Sequence, residues 1–251
     1  MKYYLFYILI LIILILAYIR KKTIHKSIDN FDNKKDIGFV INLDKRTDRW
    51  KSVQNNFKDC PIFLQRFSAI KHKRGWIGCG LSHMALVEMA KESKMPYLLI
   101  IEDDCKPTKF MKHWVDIKKW LHNNSDKWDI FLGGNCYYNF MSILENASDS
   151  ITELCKLNPE IDLFYTKLMC TQFTYINSSV YDKYLEWEKE KNGPIDSWPD
   201  KNKMRVISCV PFIAIQGTDH SDIRGYTMDY NKVFSTSEKR MKIKTNTKSC
   251  I

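Results

Sequence analysis

The stretch Tyr97-Leu98-Leu99-Ile100-Ile101-Glu102-Asp103-Asp104 is an apolar run that stops abruptly in three adjacent carboxylates. A Leu/Ile run of this kind reads as a buried strand, and open α/β sheets bind ligands at the carboxyl ends of their strands. Two carboxylates about 4 Å apart repel by roughly 4 kcal/mol at an effective dielectric of ~20, so acids clustered at a strand tip either hold a cation or open to water. Carboxylate oxygens suit the hard cations Mn²⁺ and Mg²⁺, which keep positions open for phosphate oxygens. Strand alternation through the acids would turn Glu102 and Asp104 to one side and Asp103 to the other. The plainer alternative is a solvated strand end whose last Asp caps the next helix.

Around this run, strand and helix patterns alternate. Ile37 to Leu43 reads as a first buried strand, and the charged segment Asp44 to Phe57 as a helix capped by Asp44. A short strand near Ile62 to Phe67 follows. Gly78-Cys79-Gly80-Leu81-Ser82-His83 then leads into Met84 to Ala90, whose apolar spacing suits a helix packed on a sheet, ended by Pro96. Thr108 to Leu121 carries Phe110, Met111, Trp114, Ile117, Trp120 and Leu121 at helical spacing, which is core patterning. Trp128 to Gly134 reads as a strand with a glycine turn, and residues 135–168 as a long polar, irregular segment suited to acceptor contacts. Met169 to Ile176 reads as a strand, Ser178 to Lys191 as a helix, and Arg205 to Ile215 as a last strand interrupted by Pro211. The alternation predicts an α/β fold with a mostly parallel central sheet.

The chain has 251 residues, enough for one sizeable α/β domain after its first segment. Tyr3 to Ile19 is uncharged and almost wholly apolar, flanked by Lys2 and by Arg20-Lys21-Lys22. At ~17 to 25 residues such a run spans a bilayer, and Leu16-Ala17-Tyr18-Ile19 offers no small-residue cleavage site. The expected organisation is therefore a transmembrane anchor over 1–22, a linker over 23–36, a catalytic domain over 37–230 and a basic C-terminal tail over 231–251. This makes a single-pass membrane protein. The basic flank after the run favours a cytosolic domain, whereas the sequons at Asn123, Asn146 and Asn177 matter only in a lumen.

Lys and Arg number 39 against 29 Asp and Glu, a net charge of +10 with an excess between Lys239 and Lys248. A basic balance suits phosphate-bearing partners, but no base-reading motif accompanies it, so no specific nucleic-acid partner is expected. The eight cysteines show no Cys-x-x-Cys pair and no zinc-finger spacing. Cys170 and Cys209 lie in apolar runs and read as small buried hydrophobes. Gly75-Trp76-Ile77-Gly78-Cys79-Gly80 is not a Walker sequence and follows no strand, which argues against an ATPase or a dehydrogenase. Glycines at a helix start would still let amide groups approach an anion.

Three elements in order then carry a resemblance: Phe39-Val40-Ile41-Asn42-Leu43 with Arg46 and Arg49, Gly78-Cys79-Gly80-Leu81-Ser82-His83, and Leu99 to Asp104. Together they resemble glycosyltransferase family 25, which includes lipooligosaccharide and procollagen galactosyltransferases. Trp128 to Gly133, Pro194-Ile195-Asp196, and Val210-Pro211 through Gln216 with Ser221-Asp222-Ile223 extend the likeness over roughly residues 38 to 223. The resemblance implies a GT-A-like nucleotide-sugar-binding fold and a metal-dependent, inverting transfer of a hexose, galactose foremost. The donor would be a UDP-sugar and the acceptor a hydroxyl of a glycan or protein. Carried over by position, Glu102 and Asp104 are metal ligands. Asn42, Arg46, Arg49, His83 and Asp103 lie on the donor-nucleotide side. Asp196 is either the base for the acceptor hydroxyl or a sugar-binding group, and His220 either closes the metal shell or belongs to a surface cluster with Asp219 and Asp222. Two alternatives stand beside this reading: a metal-dependent phosphohydrolase or nuclease, and an inactive membrane-tethered binding protein.

Overall fold

A computed structural model describes residues 36–137, 152–218, 229–242 and 249–250. Its strands are β1 (Asp36–Asn42), β2 (Ile62–Ser68), β3 (Tyr97–Glu102), β4 (Cys105–Pro107), β5 (Ile130–Leu132), β6 (Thr152–Asn158), β7 (Ile161–Thr166), β8 (Phe173–Asn177), β9 (Val206–Val210) and β10 (Ala214–Gln216). Its helices are α1 (Thr47–Asn56), α2 (Gly75–Glu92), α3 (Trp114–Asn123), α4 (Tyr181–Tyr184), α5 (Trp198–Lys201) and α6 (Tyr230–Lys242).

Eight strands form one sheet in the order β2-β1-β3-β8-β5-β9-β7-β6, while β10 and β4 make a separate ribbon. The β1–β3 and β5–β9 pairs are parallel. The β3–β8, β8–β5, β9–β7 and β7–β6 pairs are antiparallel. The expected mostly parallel, GT-A-like sheet is thus corrected to a mixed, mostly antiparallel one. Two insertions cause the change. β8 enters between β3 and β5 against both, and a β6–β7 hairpin extends the far edge, within the segment that reads as irregular in the sequence. Asn158 makes the hairpin turn local: its side-chain oxygen accepts from the backbone N–H groups of Glu160 and Ile161.

β3 is central because Leu98 to Ile101 are buried, as an unbroken apolar run requires. Val40, Leu99, Ile101, Trp114, Phe131 and Phe173 belong to one core cluster, with α3 laid on the sheet through Trp114, Ile117 and Leu121. A second cluster joins Phe164, Val210 and Phe212 to Tyr230, Phe234 and Met241. Within the segment read as a basic tail, α6 is therefore amphipathic, with its lysines outward and its apolar side packed. Two disulfides, Cys136–Cys170 and Cys155–Cys250, tie these parts. Cys170 is accordingly a bridge rather than a lone buried hydrophobe.

Several local expectations change. Asp44 does not cap α1, whose N-cap is Arg46; its carboxylate instead accepts from Arg66 and Ser68. The helix expected over Ser178 to Lys191 is a 3₁₀ turn followed by the single turn of α4, because Trp187 leaves to donate its indole N–H to the Gly193 carbonyl. α2 begins at Gly75, so Gly78 and Gly80 lie inside it. A Cβ at Gly78 would meet the Ile70 carbonyl oxygen at 2.5 Å and one at Gly80 the Trp187 ring at 2.4 Å. These glycines admit neighbouring groups and do not offer amides to an anion.

Among the described residues no helix is long and apolar enough to cross a membrane. Even the 18-residue α2 carries Ser82, His83, Glu88 and Lys91. The expectation of a single-pass membrane protein is corrected accordingly. The segment on which it rested, residues 1–22, lies outside the described residues, as does the linker apart from Asp36.

Candidate functional site

β1 and β3 run side by side with Ile41 paired to Glu102, so Asn42 arrives next to the acids that end β3. The strand stops at Glu102, and Asp103 and Asp104 form a turn into β4. The three carboxylates consequently go three ways instead of alternating. Glu102 turns toward α2 and accepts from Thr171 Oγ1 at 2.5 Å and from Cys79 Sγ at 3.8 Å. Asp103 accepts from Asn42 Nδ2 and from Arg49 Nη1, each at 2.8 Å. Asp104 accepts from Gln216 Nε2 at 2.8 Å, brought to it by the β4–β10 ribbon.

These acids form the floor of a cleft of about 240 Å³. Glu102, Asp103, Asp104, Arg49 and Cys79 line it, and one wall is the segment 69–73 that precedes α2. Ser82 fixes that wall by donating to the Gly78 carbonyl and accepting from the Ile70 N–H. Lys45, Lys71, His72 and Lys73 also line it, with the three lysines exposed. The cleft therefore has an acidic floor and a basic mouth.

The floor carries more negative charge than its own residues balance. Burial pushes Asp103 above its usual range, and the charge and hydrogen bonds of Arg49 and Asn42 only partly offset this. Burial also raises Asp104, reinforced by the neighbouring Glu102 and Asp103 charges, and takes it to about 7. Arg49 stands 3.8 Å from it and already serves Asp103. Asp104 Oδ1 is buried with no hydrogen-bond partner among the described residues. Burial acts to raise Glu102 too, but His83, Thr171 and Cys79 outweigh it and hold the carboxyl below its usual range. A buried, unsatisfied carboxylate oxygen among further acids fits a hard divalent cation.

Of the residues singled out in the sequence, Arg49, Glu102, Asp103 and Asp104 line the cleft. Asn42 and His83 stand behind it, Asn42 on Asp103 and His83 3.7 Å from Glu102. Arg46 does not reach the cleft: its guanidinium holds Asp48 at 2.8 Å, and its carbonyl accepts from Asn42. Asp196, in a 3₁₀ turn beside α2, is not part of the cleft lining, though its charge acts on Cys79 and Tyr184. His220 lies outside the described residues. Sequence reasoning missed Cys79, Thr171 and Gln216 as site groups, along with the lysine mouth. The four-residue spacing of Cys79 and His83, which puts both on one helix face, was the available signal for the first.

No protein-family model and no curated protein matches the chain, so neither comparison supports the resemblance to glycosyltransferase family 25. Among solved structures, A197 from STIV aligns over 74% of this chain and 86% of its own, with 16% identity and a TM-score of 0.45. A likeness at that level carries no inference about this chain.

Proposed function

We propose that this chain is a metal-dependent glycosyltransferase that moves a hexose, galactose foremost, from a UDP-sugar to a hydroxyl of a glycan or protein. The observation that carries the reading is Asp104: a carboxylate with a buried oxygen unpartnered among the described residues, flanked by Glu102 and Asp103 in a cleft that three exposed lysines also line. Asp104 and Glu102 would hold Mn²⁺ or Mg²⁺. When bound, such a cation offsets the charge that develops on a leaving diphosphate. Lys45, Lys71 and Lys73 at the mouth draw in a diphosphate by charge. Arg49 and Asn42 hold the Asp103 carboxylate in place by hydrogen bonds, so the floor stays fixed as a donor enters. Asp196, whose charge acts on Cys79, remains the residue proposed either to take the acceptor proton or to hydrogen-bond a sugar.

The test is to incubate the full chain with UDP-galactose and other UDP-sugars and follow UDP release with Mn²⁺, with Mg²⁺ and with EDTA. Release that needs the metal, and that falls at least ~100-fold in Asp104→Asn with circular dichroism unchanged, is the expected result. Absence of both UDP release and UDP-sugar binding with every divalent metal would overturn the reading.

A further inference from the structure

We propose that Cys79, His83 and Glu102 form a second metal site, for a borderline-soft divalent cation of the zinc class, which shares Glu102 with the oxygen-donor site proposed at Asp104. Cys79 and His83 are one helical turn apart on α2 and face the carboxylate that ends β3. Cys79 Sγ, His83 Nε2 and a Glu102 oxygen all lie within 4.8 Å of one another. Sγ is 3.8 Å and Nε2 3.7 Å from the same Glu102 oxygen. Donors around a tetrahedral zinc stand about 3.3 to 3.8 Å apart, by bond lengths of ~2.0 to 2.3 Å, so the two spacings to Glu102 already fit, and Cys79 and His83, within 4.8 Å of each other, close the set by drawing together by at most about 1 Å.

His83 supplies an independent sign that something belongs there. The ring is wholly buried, and Nε2 has no hydrogen-bond partner among the described residues. Its other nitrogen faces the Tyr184 hydroxyl at 3.4 Å. In the tautomer that metal binding requires, Nδ1–H is directed at that hydroxyl and the Nε2 lone pair faces the Glu102 carboxylate 3.7 Å away, with the cation between them. Metal-bound histidines commonly have such a partner on the second nitrogen, and Thr171 fixes the carboxylate by donating to the same Glu102 oxygen that faces Cys79 and His83.

The donor types select the ion. Thiolate with imidazole favours zinc and its analogues over Mg²⁺ and Mn²⁺, which prefer oxygen. Cation binding converts Cys–SH to a metal thiolate and releases one proton to solvent. Cys79 and Glu102 line the cleft and His83 does not, so the fourth position falls on the cleft side. Three protein donors and an open position suit water or an anionic oxygen from a bound ligand.

The site stands on donor geometry alone and does not depend on the transferase reading. Its test uses Co²⁺ as a spectroscopic probe on the full chain after chelator treatment. One equivalent should give intense visible bands of a four-coordinate ion together with thiolate-to-cobalt charge transfer, displaced by Zn²⁺ and not by Mg²⁺. Cys79→Ser should abolish the charge transfer, and His83→Gln should weaken binding by about tenfold or more. Cys209→Ser, a buried thiol elsewhere, should change nothing, and Asp104→Asn should keep the cobalt spectrum while losing UDP release. Circular dichroism verifies that each variant is folded. Absence of charge transfer in the parent chain, or its persistence in Cys79→Ser, overturns the proposal whatever the outcome with UDP-sugars.

Discussion

Asp103 and Asp104 are neighbours in sequence with opposite fates. Asp103 has two donors at 2.8 Å, whereas Asp104 has one donor and a second oxygen with no hydrogen-bond partner among the described residues. With a folded-state value of about 7 against 3.8 for the ordinary carboxyl, metal-free protein binds the Asp104 proton more tightly than the unfolded chain. Stability should therefore fall as pH rises from about 4 to 7 and level off above, with each unit of difference worth about 1.4 kcal/mol. Urea unfolding of the chelated protein across that range checks this, and Asp104→Asn should flatten the decline. Arg49→Met should act differently. It strands Asp103, whose side chain is only 11% exposed, and breaking a buried pair costs on the order of 3 kcal/mol, measurable as a lower denaturation midpoint. The acids and their strand were legible from the apolar run. Their directions were not, because alternation holds only while a strand continues, and here it ends at Glu102.

At the level of elements, apolar runs announced β1, β3 and the helix α3, but no run states which way its strand will pair. β8 is as buried as any parallel strand, so its five residues look alike whether they run with or against β3. β6 was hidden for another reason: at the sheet edge, with Lys156 and Glu153 among its residues, it lacks a buried strand's composition. The glycines of α2 misled in a third way, since a Gly-rich start suggests anion binding and here serves packing. Gly78→Ala tests this. The substitution gains about 1 kcal/mol of helix propensity, but its Cβ would press on the Ile70 backbone oxygen, and overpacking against a fixed group costs ~1 to 3 kcal/mol. Net destabilisation is expected. Because Ile70 leads into Lys71 and Lys73, weaker binding of a diphosphate should accompany it, measurable by titration calorimetry with UDP.

For the molecule as a whole, the disulfides were the least legible feature, since scattered cysteines give no spacing to read and their pairing follows from the fold. Cys155 and Cys250 are 95 residues apart in sequence and 4.8 Å apart at their Cα atoms. A bridge of that span should stabilise by about 4 to 5 kcal/mol in the chain-entropy account. Cys155→Ser with Cys250→Ser should lower the denaturation midpoint correspondingly in non-reducing buffer and leave metal binding in the distant cleft unchanged. The two bridges also overlap along the chain, because Cys155 lies between Cys136 and Cys170. Every peptide bond from Cys136 to Cys250 is therefore enclosed by at least one covalent ring. A single protease cut anywhere in that stretch yields no free fragment on a non-reducing gel, whereas a cut earlier in the chain splits it at once.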